Sequence, residues 1–276
     1  MKLMTAHKNI REEDIRKYFN QAAEDHISYC FRKDAIGFNY KKKLGWFVNH
    51  LSNVRGCVLD VGCNVGNLAF FIREFGLSVE QLRVIGIDIA ERSIATANMR
   101  NIPGAIFQVG NALSINFPDA SFDAVTLVEV IEHMPEKLSV LRELTRLLKP
   151  GGRLLLSTPN AECKPWLLDE RIRFIAKSIL GNAVVEKDLP LTSPELRDLL
   201  LASGLILIEG PTYYWYRPYN ILKQKVWWPP FLACKGLLGA MKYCINLENN
   251  GQLTEHQKKF YCQSIVCVAG KAPQLS

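Results

Sequence analysis

No part of the sequence is an uninterrupted apolar run of about 18–20 residues, the length that a membrane-spanning helix needs. Residues 1–9 contain no apolar core of the kind found in signal peptides. The 8 cysteines are scattered, without a C-x-x-C pair, so neither a disulfide framework nor a zinc site is predicted. Together these absences predict free thiols, no bound metal and a cytoplasmic location.

Internal repeats and low-complexity segments are absent too, and 276 residues suffice for one large domain or two small ones. The net charge of +7 resides in the two ends of the chain. Residues 1–55 have 11 basic and 6 acidic side chains, residues 211–276 have 8 and 2, and residues 56–210 have 15 and 19. Basic flanks suit an anionic substrate, a nucleic acid or an anionic membrane surface, and they are equally compatible with a solvated face that has no partner.

The central pattern of the chain lies at residues 58–68. An apolar run reaches Asp60, two glycines follow four residues apart, and a helical pattern then begins. Gly62 and Gly66 let the backbone take positive φ angles and approach a ligand closely. The pattern predicts a strand, a loop and a helix, with the loop beyond the carboxyl end of the strand, where open α/β sheets bind ligands.

A second acid, Asp88, lies near the end of the next apolar run, 83–89, one βαβ unit downstream. A carboxylate at this position accepts the ribose hydroxyls of an adenosine-containing ligand. Asp60 at the loop entrance favours a ligand with an ammonium group over one with two phosphates. The third glycine of a dinucleotide-binding fingerprint is missing, because position 67 is Asn67.

Four segments carry a resemblance to a known family. They are Asp60–Gly66, with Asn64 at the middle glycine position, F-P-D-x-S-F-D at 117–123, E-V-x-E-H at 129–133, and L-K-P-G-G-x-L-L-L-S-T-P at 148–159. In this order and spacing they resemble the class I S-adenosylmethionine (SAM) dependent methyltransferases, of the methyltransferase type 11 or ubiquinone–menaquinone biosynthesis kind. The resemblance covers residues 56–210 and the last strand.

The resemblance implies an α/β fold: a Rossmann-like, doubly wound, seven-stranded sheet in the order 3-2-1-4-5-7-6, with strand 7 antiparallel. It also implies a division of the chain. A helical N-terminal lid would occupy residues 1–55, a SAM-binding core residues 56–210, an aromatic-rich cap insertion residues 211–258, and the last core strand and tail residues 259–276.

The resemblance further implies a cofactor site for S-adenosyl-L-methionine, with S-adenosyl-L-homocysteine as the product. The implied residues are Asp60, Gly62, Cys63, Asn64 and Gly66 at the methionine end, Asp88 at the ribose, Ile89, Asn111 and Ala112 at the adenine, and Glu129, which closes the pocket. Asn111 departs from the usual Gly-Asp-Ala of the family. Its amide oxygen still accepts a hydrogen bond from the adenine amino group, but more weakly than a carboxylate.

Residues 129–133 hold the candidate catalytic groups. In one interpretation His133, with Glu132 beside it, is the general base for a hydroxyl acceptor. In another, Glu129, Glu132 and His133 bind a metal, as in the similar E-x-x-E-H of small-RNA 3′-end 2′-O-methyltransferases. That family has a further histidine segment, and after His133 this chain has only His256. In the third interpretation these residues are structural and His133 caps the next helix.

Two segments flank the predicted core. Helices are predicted over 9–35 and from Lys41 to Leu51, and Tyr18 and Phe19 resemble the aromatic pair of a lid over the cofactor. The cap insertion combines Trp and Tyr with Lys. It is predicted to bury these residues against the core, or alternatively to form a hydrophobic substrate vestibule that contacts a membrane through residues 211–245.

These patterns predict a SAM-dependent methyltransferase that acts on a small, lipophilic acceptor, with O-methylation favoured. The runner-up is a metal-assisted RNA 2′-O-methyltransferase, against which the sequence offers no RNA-binding module. A non-catalytic scaffold with this fold is the third hypothesis, and the presence of Asp60 and Asp88 argues against it. The sequence makes no prediction of oligomeric state.

Overall fold

A computed structural model describes residues 12–31, 35–163, 189–216 and 262–273. The helices are α1 (Glu12–Phe31), α2 (Ala35–Leu51), α3 (Asn67–Glu74), α4 (Glu91–Met99), α5 (Lys137–Leu147) and α6 (Ser193–Ala202), with a 3₁₀ turn at Ile131–His133. The strands are β1 (Gly56–Val61), β2 (Leu82–Asp88), β3 (Ala105–Val109), β4 (Phe122–Val128), β5 (Leu148–Pro159), β6 (Leu205–Tyr216) and β7 (Cys262–Lys271).

The strands form one seven-stranded sheet in the order β3-β2-β1-β4-β5-β7-β6. The first five strands along the chain are parallel, and β7 runs antiparallel to both β5 and β6. The predicted fold class and strand order are therefore confirmed. Since β1 lies between β2 and β4, the loops that follow these three strands meet at one edge of the sheet.

Helices cover both faces of the sheet, which explains why its strands are apolar on both sides. Neighbouring residues of a strand point to opposite faces. Leu59 and Leu154 belong to the core beneath α5 and α6, whereas Val58 and Leu155 belong to the core beneath α2, α3 and α4. In α5 the buried residues, Val140, Leu141, Leu144 and Leu147, recur at helical spacing.

The segment at 117–123 has a structural role. Asp123 accepts a hydrogen bond from the Cys57 backbone N–H at 2.8 Å and from Lys149 Nζ at 2.9 Å. Its carboxylate occupies the space that a Cβ atom at Gly56 would need, and Gly56 has φ 116°. Asp123 thus joins the beginnings of β1 and β5 to β4, far from the edge where ligands bind.

The apolar patterns of the sequence predict that β5 begins at Arg153 and that β6 ends at Glu209. Both bounds are wrong. β5 begins at Leu148, so the K-P-G-G segment belongs to the strand. β6 does not end at Glu209. It continues to Tyr216 through a shifted register, because it stays paired with β7 as far as Cys262. Residues 211–216, predicted to begin the cap, are therefore strand, and the rest of the predicted cap, 217–258, lies outside the described residues.

Helix α6 begins with a capping box. Thr192 Oγ1 accepts from the Glu195 backbone N–H at 3.3 Å, and Glu195 Oε2 accepts from the Thr192 backbone N–H at 2.8 Å. We predict that Thr192→Ala lowers the free energy of unfolding by about 1 kcal/mol, because it removes a helix cap. Denaturant unfolding measures the change. Thr192→Ser, which keeps the hydroxyl group, is the matched control, and an equal loss in both variants would contradict the capping role.

Candidate cofactor and active site

The loop after β1 takes three left-handed backbone conformations. Gly62 has φ 70°, Asn64 has φ 48° and Gly66 has φ 75°. A Cβ atom at Gly62 would overlap the Val130 side chain, and one at Gly66 would lie 2.7 Å from the Phe107 ring. Asn is the non-glycine residue that best tolerates this region, which explains how Asn64 replaces a glycine. These local requirements explain why the glycine spacing of the sequence predicts a loop here.

Asp88 lies at the carboxyl end of β2 and accepts a hydrogen bond from the loop after β1. Its Oδ2 accepts from the Asn64 backbone N–H at 2.8 Å, and its Oδ1 accepts from the Ala90 backbone N–H at 2.9 Å. Burial raises the pKa of Asp88, and these backbone hydrogen bonds partly oppose the rise. The Ile89 backbone N–H also opposes the rise, and a carboxylate in this position fits the ribose of an adenosine-containing ligand.

Asp60 is the second buried acid of this site. It is only 2% exposed, and its Oδ1 accepts from Thr126 Oγ1 at 2.8 Å. Burial raises the pKa of Asp60 to about 7, the hydroxyl group opposes the rise, and the negative charge of Asp88 adds to it. Two desolvated acids that repel each other favour a cationic ligand. SAM carries a sulfonium and an ammonium group, so these residues fit it.

On the adenine side, the hydrogen bonds of the Asn111 side chain differ from those expected from the sequence. Its Oδ1 accepts from the Leu113 backbone N–H at 2.9 Å, and its Nδ2 donates to Glu12 Oε2 at 2.8 Å. An aspartate at position 111 would repel Glu12, so the departure from Gly-Asp-Ala lets α1 contact this side of the site. Ala112 is buried and Ile89 is half-buried.

Cys63 contributes differently from the rest of the loop. A Cβ atom at Gly86 would lie only 2.8 Å from Cys63 Sγ, so the Cys63 side chain packs directly against Gly86. Burial is the largest cause that raises the pKa of its thiol. The backbone N–H groups of Gly62 and Cys63 both donate to the Ile87 carbonyl, at 2.8 and 3.0 Å. Cys63 thus fixes the loop on β2, and its thiol belongs to the core.

Glu129 follows β4 with φ 54°, a strained conformation for a residue with a side chain. Its backbone N–H donates to the Ser157 carbonyl at 3.1 Å, which extends the pairing of β4 and β5. Its Oε2 lies 3.5 Å from Lys43 Nζ of α2, and both side chains are largely buried. Sequence reasoning missed Lys43, because three consecutive lysines give no signal of which one points inward.

Glu132 and His133 lie in the 3₁₀ turn after β4. Glu132 is buried, accepts from Thr158 Oγ1 at 3.4 Å, and places Oε1 3.9 Å from His133 Nε2. The His133 ring meets the Phe19 ring edge to face, with centroids 5.6 Å apart. The N-cap position of α5 belongs to Glu136, so the hypothesis that His133 caps this helix is wrong.

Within the described ranges, no three His, Cys, Asp or Glu side chains are grouped so that they could hold a metal ion. The helices of the described part include none long and apolar enough to cross a membrane.

Helix α1 crosses the ligand-binding edge of the sheet. Near its start, Arg16 Nη1 lies 3.4 Å from Glu91 Oε1, and Asn20 Nδ2 donates to Glu91 Oε2 at 3.0 Å. Further along, His26 Nδ1 lies 2.7 Å from Asn64 Nδ2. Sequence reasoning recognised Phe19 but missed His26, because a histidine on an amphipathic helix carries no signal of its partner.

Asn67 stands where a dinucleotide-binding loop has its third glycine. Its Nδ2 donates to the His26 carbonyl and to Tyr40 Oη, both at 3.0 Å, and its Oδ1 accepts from Arg100 Nη1 at 2.7 Å. The Asn67 side chain therefore ties α1, α2 and α4 to the loop, a role that glycine cannot fill. This contact network distinguishes the loop from a dinucleotide site.

The buried Asp60 gives the protein a testable pH dependence. Its pKa is about 7 in the folded protein and about 4 in an unfolded chain. Between these values the folded state holds a proton that the unfolded state has lost. The free energy of unfolding therefore falls as the pH rises towards 7, by up to about 1.4 kcal/mol per pH unit.

Asp60→Asn removes this titration while keeping an oxygen for Thr126. We expect the variant to be more stable than the parent protein, with a gap that widens from pH 5.5 to pH 7.5 in denaturant unfolding. The exposed acid Asp198 on α6 provides the control, because Asp198→Asn should leave the pH slope unchanged. Parallel pH profiles for the parent protein and Asp60→Asn would contradict the assignment.

Comparison with known proteins agrees with this geometry. Residues 59–156 match the family model described as a methyltransferase domain. The chain is 32% identical over 171 residues to the ubiquinone biosynthesis O-methyltransferase of Leptothrix cholodnii, covering 59% of this chain and 66% of that protein. It is 34% identical over 139 residues to the 27-O-demethylrifamycin SV methyltransferase of Amycolatopsis mediterranei, covering 48% and 49%.

These matches span about two thirds of the first relative and half of the second. Among solved structures, the magnesium protoporphyrin IX methyltransferase of Synechocystis with bound S-adenosylhomocysteine has the same fold. Its TM-score is 0.60 at 17% identity, covering 95% of this chain and 100% of that one. A chain with this strand order, matched to that family model over its central strands, carries a class I S-adenosylmethionine-dependent methyltransferase domain, and S-adenosylmethionine is the cofactor of that domain.

Proposed function

We propose that this protein transfers the methyl group of SAM to a hydroxyl oxygen of a small, lipophilic acceptor. The observation that carries the proposal is the position of His133. It follows β4 at the same edge of the sheet as the acids Asp60 and Asp88 and lies against α1. Both curated relatives described above are named as methyltransferases, and the first as an O-methyltransferase. Their names agree with the chemistry expected here.

Each cofactor residue has a definite task in this proposal. Asp88 holds the ribose, and Asp60 supplies negative charge near the methionine end. Glu129 and Lys43 close the side towards α2, and Ile89, Asn111 and Ala112 line the adenine side. SAM supplies an activated methyl group, so the protein must mainly align the acceptor with it and exclude water.

His133 is the proposed general base. A hydroxyl acceptor must lose its proton as the new bond forms, and an imidazole is suited to take it near neutral pH. The buried carboxylate of Glu132, 3.9 Å from His133 Nε2, stabilises the imidazolium that results. Phe19 packs edge to face against the imidazole ring and limits the access of water. Glu132 thus acts on the proton through His133.

The RNA hypothesis requires Glu129, Glu132 and His133 to share a metal. The Lys43 ammonium group, 3.5 Å from Glu129, already neutralises one of these ligands, so a divalent cation would have to displace it. A small acceptor also agrees better with α1, which lies across the site. The membrane contact proposed for residues 211–245 concerns mostly residues outside the described ranges and stays a prediction.

The cofactor assignment is tested by calorimetric titration. We expect S-adenosylhomocysteine to bind with micromolar affinity and NADH not to bind. Asp88→Ala should weaken S-adenosylhomocysteine binding tenfold or more, about 1.5–3 kcal/mol, because the ribose loses its acceptors. Asp198→Ala, an exposed acid on α6, is the control. An unchanged affinity in Asp88→Ala would show that the ribose binds elsewhere.

The base is tested by His133→Ala, with phenols of increasing lipophilicity as acceptors. We expect S-adenosylhomocysteine affinity to stay the same, while kcat falls by about 10²-fold or more and loses its increase between pH 6 and pH 8. Phe19→Leu is the comparison, since it alters the covering ring but keeps the base. Full activity of His133→Ala across pH 6–9 would leave His133 without a catalytic role, and failure of the parent protein to methylate any acceptor would favour the scaffold hypothesis.

A further inference from the structure

We propose that Asn64 and His26 form a latch that couples the docking of α1 to retention of the cofactor. In this proposal both are positioning residues, which act through the loop after β1 and through Asp88. The inference depends on the cofactor of the domain, and it is independent of the acceptor and of the proposed base.

Asn64 contacts Asp88 and His26 at the same time. Its backbone N–H donates to Asp88 Oδ2 at 2.8 Å, and its side-chain Nδ2 lies 2.7 Å from His26 Nδ1. Its Oδ1 is buried and has no hydrogen-bond partner among the described residues. The amide therefore pairs with the imidazole in either orientation: Nδ2 donates to an unprotonated Nδ1, or Oδ1 accepts from a protonated one.

The left-handed backbone of Asn64 does not by itself explain why a side chain is present there. Glycine would satisfy φ 48° without strain, so the loop conformation alone does not explain asparagine. What asparagine adds is the contact to α1. The same residue thus sets the hydrogen bond to the ribose-binding acid through its backbone and the contact to the lid through its side chain.

A second contact fixes the position of the His26 backbone. Asn67, at the start of α3, donates from Nδ2 to the His26 carbonyl at 3.0 Å. Arg100, which follows α4, fixes Asn67 in turn by donating from Nη1 to Asn67 Oδ1 at 2.7 Å. The backbone and the ring of His26 are therefore both tied to the loop region, so movement of α1 at this point must disturb the loop.

The exposed ion pair between Arg16 of α1 and Glu91 of α4 is a weaker candidate for this coupling. The Arg16–Glu91 pair is 3.4 Å long, and its side chains are 42% and 52% exposed, so solvent and salt screen it. The latch is partly buried and lies beside the cofactor loop. Consequently we expect the latch, and not the exposed pair, to control how fast the cofactor leaves.

The test is a double-mutant cycle on the dissociation rate of S-adenosylhomocysteine, measured by stopped flow without an acceptor. Asn64→Gly keeps the loop conformation but removes the side-chain contact, and His26→Ala removes the partner. Each should raise the dissociation rate about five- to tenfold, the effect of one hydrogen bond. The double variant should be no faster than the faster single variant, because both substitutions break the same contact.

Two further variants separate coupling from general destabilisation. His50 of α2 is a partly buried histidine that pairs with Glu209 and the Trp46 carbonyl away from the site, so His50→Ala should leave the dissociation rate unchanged. His26→Gln offers an acceptor to the Asn64 amide and should restore much of the parent rate. Additive effects of Asn64→Gly and His26→Ala, or an unchanged rate in either, would overturn the latch.

If the parent protein shows no methyl transfer, the dissociation experiment still tests the latch, because the experiment uses only S-adenosylhomocysteine. Conversely, a normal transfer rate with unchanged dissociation in Asn64→Gly would refute the latch and support the proposed activity. The two proposals therefore fail separately.

Discussion

The site depends on two carboxylates held out of water at the ends of neighbouring strands. Asp60 on β1 and Asp88 on β2 are both buried, and burial raises the pKa of each. Isolated buried charges are costly, so the surrounding backbone must supply donors. The loop after β1 does so by directing the Asn64 N–H at Asp88, and Thr126 does so for Asp60. The remaining negative charge is what a sulfonium cofactor compensates.

This constraint explains the local sequence around the loop. Gly62 and Gly66 are required because Val130 and Phe107 fill the space where their side chains would lie. Asn67 is required because its amide connects three helices to the loop. The packing around the loop therefore excludes side chains at Gly62 and Gly66.

Helix α1 contacts this edge of the sheet at several points. Its contacts run from the adenine side, through Glu12 and Asn111, to the loop at Asn64 and to the proposed base at His133. One helix thus contacts the residues proposed to bind the cofactor and the residue proposed to remove the proton. In the proposed mechanism, α1 limits the access of water to His133 through the Phe19 ring.

The sequence alone predicted the loop and the two acids, because these depend on local signals, whereas the fold class and the strand order followed from the resemblance of its motifs to a known family. Apolar runs, glycine spacing and the order of motifs along the chain are local properties. Tertiary structure alone decided that Lys43 meets Glu129, that His26 meets Asn64 and that Asn111 meets Glu12. These partners are distant in sequence, and no periodicity records which polar residue of a helix points at a loop. The continuation of β6 beyond Glu209 was likewise decided by its pairing with β7, which the pattern of β6 itself does not show.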